Sequence, residues 1–524
     1  MTIKVGKQPT KACQMPKQPM DWSSELDHKA LRESFAEEMG GADKVARQRG
    51  RGKLTARDRI DGILDPGSFR EIGKLAGSGT YDENGKFISS AASNFIYGQG
   101  AIGGRPVVAS ADDFTVRGGA SDAAIYRKFI HAEKMASEFG IPLIRMIDGT
   151  GGGGSVKSLE SMGYTYVPEV PGFEAIVENL QTVPVAALAL GPCAGLGAAR
   201  VVASHYSVMV KGLSQIFTAG PAIVAPLGES HDKEGLGGSA IHTRNGVVDD
   251  EAASEADAFA RARAFLSFLP SRVGDPLPYA APTDDPARTD EDLLSIVPRN
   301  KHQAYSMRTI VRSVMDEGSV FEIGRKWGRA AITALARLNG WPVAVIASDP
   351  SFLGGSWTAD TAQKVKRHVE LAEQFGLPIV HLVDNPGFMI GLDAEKAATI
   401  RRGVETMASI YNASVPWASV IIRKAYGVAG AAMSNHTRYQ YRAAWPSGDW
   451  GSLPIDGGVE VAYQSELAAS DDPVAELAAI KARLAEVSSP FRTAERYGVE
   501  DIIDPRETRP FLTNFVKLAM MRQR

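Results

Sequence analysis

Short apolar runs alternate along this chain with longer stretches whose apolar residues recur at helical spacing. PVVASADDF (106–114) and PVAVIASD (342–349) are β-branched runs that close on aspartates. IPLIRMID (141–148) and LPIVHLVD (377–384) are further buried runs of strand length. Between them lie 123–140 and 361–376, amphipathic at the 3.6-residue period and closed by Gly140 and Gly376, as helix C-termini are. Strand, helix and strand in this order predict right-handed βαβ units. Residues 465–487, rich in Ala and Glu, read as a solvent-covered helix.

The pattern occurs twice. VPVAALALGPCAGLGAA (183–199) aligns without a gap with VPWASVIIRKAYGVAGA (415–431) at an offset of 232. LDPGSFREIG (64–73) returns as MDEGSVFEIG (315–324) at offset 251, pairing Asp65 with Asp316 and Gly73 with Gly324. IGGRPVVASADD (102–113) returns as LNGWPVAVIASD (338–349) at offset 236. That register holds for Gly118-Gly119 against Gly354-Gly355 and for 137–148 against 373–384. Solenoid units run roughly 20–50 residues, so two fused copies of one domain are expected. The boundaries drawn are a flexible tail (1–24), an N-terminal domain (25–270), a proline-rich linker (271–290) and a C-terminal domain (291–524). In each copy an apolar strand delivers a small-residue turn to the start of a helix. Free backbone N–H groups gather there, and such a pocket stabilises an oxyanion without side-chain chemistry.

Charge and composition narrow the function. Lys+Arg 58 against Asp+Glu 61 leaves a formal charge of −3, which gives no basic footprint for nucleic acid. Glycine, at 53 of 524 residues, exceeds the usual ~7% and suits tight backbone turns. Cys13 and Cys193 are the two cysteines, too few for a disulfide framework or a cysteine zinc site. No run reaches the ~20 apolar residues of a membrane span. The lysine-bearing first 20 residues lack the apolar core of a secretion signal. A cytoplasmic location is expected ahead of a mitochondrial matrix one.

The blocks 49–69, GPCAG (191–195), VKGLSQIFTAGP (210–221), IRKAYG (422–427), DNPGF (384–388) and AWP (444–446) together resemble a known family. It is the carboxyltransferase (β) subunit of biotin-dependent acyl-CoA carboxylases, of the propionyl-CoA carboxylase kind, over roughly residues 25–510. The resemblance implies an α/β fold of two tandem crotonase-like (ββα superhelix) domains and a homo-hexameric core with sites between chains. It also implies transfer of a carboxyl group from carboxybiotin, carried by a biotin carboxylase/carrier (α) subunit, to the α-carbon of an acyl-CoA. In this family biotin itself is thought to take the α-proton, so no protein base is nominated. Metal, nucleic acid and membrane play no part in the expected reaction. The chain has no biotinylation motif and no ATP-grasp glycine loop, so only the second half-reaction is expected of it.

By the same resemblance one oxyanion hole is the N–H pair of Gly195 and Leu196, and the other that of Val428 and Ala429. The family has glycine where Leu196 and Val428 stand, and an acidic residue at Ala431. Its SGGARIQ is TGGGGSVK (150–157) here, which makes Gly151 and Gly152 candidates for substrate contact in a ligand loop. SGDWGSLPIDGG (447–458) likewise departs from the pattern. These changes predict an acyl group other than the standard one, with Cβ atoms at Leu196 and Val428 restricting the backbone and crowding the pocket. Arg49, Arg51, Lys53, Arg57 and Arg59 are candidates for the CoA phosphates, beside the plainer reading of a solvated basic helix. Gly427, Gly237 and Gly238 are placed on the biotin side, and His242 beside them is as readily structural as functional. Asp113, Asp148, Asp349 and Asp384 end strands in matching positions and read as turn or cap residues. Two alternatives stand: a biotin-dependent decarboxylase subunit running the transfer backwards, and an inactive scaffold of the same fold.

Overall fold

A computed structural model describes residues 21–120, 125–149, 159–160, 162–167, 169–282 and 284–522, the side chain of Asp456 excepted. The N-terminal sheet runs from a short strand at Arg70–Glu71 through β1 (Phe95–Ile102), β2 (Arg105–Asp112), β3 (Leu143–Ile147), β4 (Val185–Ala189), β5 (Tyr206–Val210) and β6 (Asp250–Ala252). The first two pairings are antiparallel and the rest parallel. The C-terminal sheet repeats this order: Phe321–Ile323, then β7 (Ala331–Leu338), β8 (Trp341–Ser348), β9 (Ile379–Asn385), β10 (Trp417–Tyr426) and β11 (Tyr441–Ala444). It too begins with two antiparallel pairings and continues parallel.

The sequence repeats have local causes. Each antiparallel pair turns through two residues in the left-handed region, Gly103-Gly104 (φ 57° and 76°) and Asn339-Gly340 (φ 51° and 79°). Such a turn matches the twist of a two-residue hairpin. The carboxylates of Asp65 and Asp316 accept from both amides of their own turn, at 2.8–3.0 Å. This is why that aspartate recurs.

The crossover helices α1 (Tyr126–Phe139) and α4 (Ala359–Phe375) pack on their sheets and stop where Gly140 (φ 62°) and Gly376 (φ 72°) take the left-handed C-terminal conformation. A duplicated charge network fastens the two helices to the small strands. Arg57 donates to Glu71 at 2.8 Å with Lys128 near, and Arg308 donates to Glu322 at 2.6 Å with Lys364 near.

One apolar cluster spans both halves, from Ile60, Ile144 and Leu188 to Leu335, Val345 and Val420. Tyr206 stacks on Phe265 at 4.9 Å and meets Phe321 of the other half at 5.4 Å. The proline-rich stretch is pinned: Ala280 N–H donates to Gly340 O, and Pro278 O accepts from Arg337. Residues 465–487 depart from the expected single helix. They form Gln464–Ala469 and Pro473–Val487, broken at Ser470–Asp472, because Asp472 caps the second helix and proline opens it. The described helix that begins at Ser23 overlaps the end of the expected tail. No helix among the described residues is long and apolar enough to cross a membrane.

Candidate active site

Each half carries one strand–turn–helix element at its opening. In the N-half, α2 (Leu196–Val202) follows the strand Pro192–Ala194. In the C-half, α3 (Gly427–Ala431) follows β10 directly. Gly195 (φ 54°) and Gly427 (φ 60°) occupy equivalent positions and both lie in the left-handed region. Leu196 and Val428 are not among the residues with positive φ. The backbone restriction expected from their side chains therefore does not arise, because the turn's demand for glycine falls one residue earlier. The side chains instead stand at the openings: Val428 is 50% exposed, and Leu196 is half-buried.

The first N–H groups of a helix have no intrahelical acceptor, which leaves the N–H groups of Leu196 and Gly197, and of Val428 and Ala429, without one inside their helices. Gly195 N–H already donates to Phe217 O, at a long 3.4 Å. Offset 232 equates Val428/Ala429 with Leu196/Gly197, not with Gly195/Leu196. The repeat thus adds Gly197 as a candidate beside Gly195 and Leu196. Gly197 packs so closely on Gly149 O that a Cβ would sit 2.6 Å away. A cavity of about 500 Å³ opens beside the N-half turn, lined by Gly195, Ala198, Ala199, Val202, Phe217 and His242 among others.

The strand-end aspartates anchor these turns from behind. Buried Asp148 accepts from Lys53 Nζ at 2.6–2.7 Å and from Arg59 Nη1 at 2.9 Å, while Arg59 Nε donates to Glu255 at 2.7 Å. Buried Asp384 accepts from Arg423 at 3.0–3.1 Å, Tyr305 Oη at 2.8 Å and Lys424 N–H at 3.0 Å. The cation comes from different elements in the two halves. Arg423 occupies the strand position equivalent to Gly191, where a side chain would run into Asp148 and Lys53. These two aspartates are ion-pair centres, unlike the turn role expected. Asp113 and Asp349 do close turns, accepting from Thr115 N–H and Ser351 N–H at 2.9 and 3.0 Å. Burial pushes the Cys193 thiol far up, so it is no nucleophile.

Residues 47–524 match the family described as "Carboxyl transferase domain". The propionyl-CoA carboxylase beta chain of Roseobacter denitrificans is 33% identical, over 90% of this chain and 91% of that one. The chain belongs to the carboxyltransferase family of biotin-dependent acyl-CoA carboxylases. The methylmalonyl-CoA decarboxylase subunit alpha of Veillonella parvula is 31% identical over 92% of each chain. A transcarboxylase 12S crystal structure, described as a hexamer with hydrolysed methylmalonyl-coenzyme A bound, superposes with a TM-score of 0.85 at 29% identity, covering 96% of both chains. The fold is the crotonase-like carboxyltransferase fold expected from the sequence, and the protein is an acyl-CoA carboxyltransferase.

The basic block of this carboxyltransferase divides on inspection. Arg59 is wholly buried, with its donors taken by Asp148, Glu255 and Leu190 O, so it does not face a phosphate. Lys53 is 9% exposed and committed to Asp148; burial pulls its ammonium below the ordinary value against the opposing pull of Asp148. Arg57 donates to Glu71 and Ala36 O, a structural bond that Arg308 repeats in the other half. Arg49 is exposed and paired with Asp58 at 2.9 Å. Arg51 is exposed, with no side-chain partner among the described residues.

Gly237 and Gly238 back the strand Gln215–Phe217, where a Cβ on Gly237 would lie 2.3 Å from Ile216 O. They support the N-half turn, whereas Gly427 opens the C-half one. His242 Nε2 donates to Ile216 O at 2.9 Å in the same support. Ala431 is exposed at the end of α3, its carbonyl accepting from His436. Gly151 and Gly152 lie outside the described residues. Asn385 was named only as part of its motif, yet its side chain donates to Ala429 O and accepts from Gly387 N–H, fixing the C-half turn. Trp450 pairs in register with Ala425, and the strand Asp449–Gly451 brings Ser452 O to 3.4 Å from where a Gly427 Cβ would stand. The unusual 447–458 segment is thus a wall of the C-half opening.

Proposed function

We propose that this chain transfers a carboxyl group between biotin on a partner carrier chain and the α-carbon of an acyl-CoA. The observation that carries this reading is the duplicated turn, Gly195 in one half and Gly427 in the other, each offering helix-start N–H groups at an opening. One pair holds the thioester oxygen and stabilises the negative charge that develops on it when the α-proton leaves. The other holds the ureido oxygen. A lost oxyanion donor costs about 3–4 kcal/mol of barrier where it has been measured, so two holes suit a reaction that develops charge at two oxygens. Biotin, when bound, supplies the carboxyl group. The N–H pairs need only an oxygen within hydrogen-bonding distance.

Of the basic block, Arg51 and Arg49 meet the CoA phosphates, a reading supported by the exposure of both. The chain works as a homo-hexamer with sites completed between chains, a reading supported by the hexamer assembly described for the 12S structure. The relative from Veillonella parvula keeps the reverse direction open, since one site serves both. The test is turnover of a panel of malonyl-CoA thioesters with free biotin, read as released CO2. Decarboxylation of at least one ester is expected. No turnover with any of them, while CoA esters still bind, would leave only the inactive scaffold.

A further inference from the structure

A second cavity, of about 150 Å³, lies at the seam between the halves, separated from the cavity beside the N-half turn by Arg367, which lines both. Its wall carries three buried polar groups that the fold leaves unsatisfied or uncompensated. Lys364, 4% exposed, gives one hydrogen bond to Ala331 O at 2.8 Å and has no carboxylate within ion-pair distance among the described residues. Glu322, the acid that acts on it most strongly, is taken by Arg308. The indole Nε1 of Trp327 and the imidazole Nε2 of His368 are buried without a partner among the described residues.

The backbone groups of Ala334 and Val345 lie beside the His368 ring. Nε2 is the ring nitrogen without a partner, and with the single proton of the neutral ring on Nδ1, towards those carbonyls, Nε2 is an acceptor. Burial, with Lys364 adding to it, holds the ring neutral by lowering its pKa to about 4. The other charged groups on the wall are spent: Asp249 on Arg367 and Ser207, and Glu370 on Lys366. Both nitrogens of His205 are engaged.

The duplication shows that the fold does not require this polarity. Lys364 corresponds to Lys128, but His368 corresponds to Ala132, and Trp327 to Ala76 in the register of the EIG repeat. The C-half has added a donor and an acceptor around a lysine that both halves possess. A buried polar group without a partner costs on the order of 1–3 kcal/mol, so two added ones point to a ligand that satisfies them. That ligand must accept from an ammonium and an indole N–H and donate to an imidazole nitrogen. It must also be small, since the cavity takes only a few water-sized groups.

We propose that this seam cavity binds a small oxyanion bearing its own hydroxyl, bicarbonate or monohydrogen phosphate, between Lys364, Trp327 and His368. The inference does not depend on the transfer reaction, and its readout is binding. The intact protein is titrated with bicarbonate, phosphate, acetate and chloride at matched ionic strength, following thermal stability and heat of binding. Saturable stabilisation by bicarbonate or phosphate is expected, and the one that saturates at lower concentration is the natural occupant. Acetate, lacking the hydroxyl, is expected to bind about tenfold more weakly. Trp327→Phe keeps the ring over Gly246 and loses the N–H, which should raise the half-saturation concentration about tenfold; Lys364→Met should abolish the response. The proposal is overturned if chloride stabilises as well as bicarbonate, if Trp327→Phe responds as the parent does, or if crystals grown in bicarbonate show waters only. Should Lys364→Met not fold, the acetate comparison and Trp327→Phe decide alone.

Discussion

Gly195 and Gly427 set the geometry of the two turns, and each holds a positive φ that L-residues rarely adopt. Gly427→Ala is therefore expected to tilt the first N–H groups of α3. A displaced oxyanion donor lowers kcat by about 10²–10³-fold, with a far smaller change in KM. Leu196→Gly and Val428→Gly should behave in the opposite way. Each should cost at most about 1 kcal/mol of stability, as glycine does in a helix, and each should widen the range of acyl chains turned over. Paired kcat and KM values over an acyl-CoA series, with urea midpoints, check both. If Leu196→Gly and Val428→Gly leave the acyl range unchanged, the two side chains do not shape the openings. The sequence identified these two residues as unusual, but motif letters carry no φ value. Only the backbone shows that the strained position kept its glycine.

At the scale of elements, the crossover helices each bury a lysine, and burial pulls Lys128 and Lys364 down to about 8 from 10.5. Below about pH 8 both states of the chain hold these protons, and the lysines give no slope. Between about 8 and 10.5 the unfolded chain keeps protons that the folded one has lost, so stability rises with pH across that window. Lys128→Met and Lys364→Met should each flatten this rise, measured as urea midpoints at pH 7.5, 8.5 and 9.5. A slope unchanged in both variants would mean that neither lysine is depressed. The basic block 49–59 divides by the same logic of burial. Arg59→Met leaves Asp148 and Glu255 without their guanidinium and should cost about 3–5 kcal/mol, as breaking a buried pair does. Arg51→Ala should stay within about 0.5 kcal/mol and raise KM for the CoA ester. A run of cations looks the same in sequence whether it faces solvent or a buried acid. The repeat held the missing signal for Arg57, because Arg57 and Glu71 recur as Arg308 and Glu322.

Across the whole molecule the question is what joins the two copies. The sequence made the duplication and its strand order legible, because each βαβ unit carries its own apolar period. It did not show the seam, since contacts between copies have no sequence spacing of their own. Ion pairs, hydrogen bonds such as that of Gln374 to Leu180 O, and apolar contacts all cross it. Lys326 meets Glu251 at 3.0 Å, with the lysine side chain 44% exposed, and an exposed pair of this kind contributes about 0–1 kcal/mol. Phe268 is 5% exposed and reaches Phe321 of the other half at 6.2 Å, with Arg337 over its ring. Truncating a buried phenylalanine costs about 3–5 kcal/mol, because a cavity is added to the lost burial. The apolar contact should therefore dominate: Phe268→Ala should lower the urea midpoint several times more than Lys326→Ala. Raising the salt concentration should shrink the Lys326→Ala effect and leave that of Phe268→Ala in place, since screening acts on exposed charges. A Lys326→Ala effect equal to that of Phe268→Ala would instead make the seam an electrostatic joint, with the two cores only resting against each other.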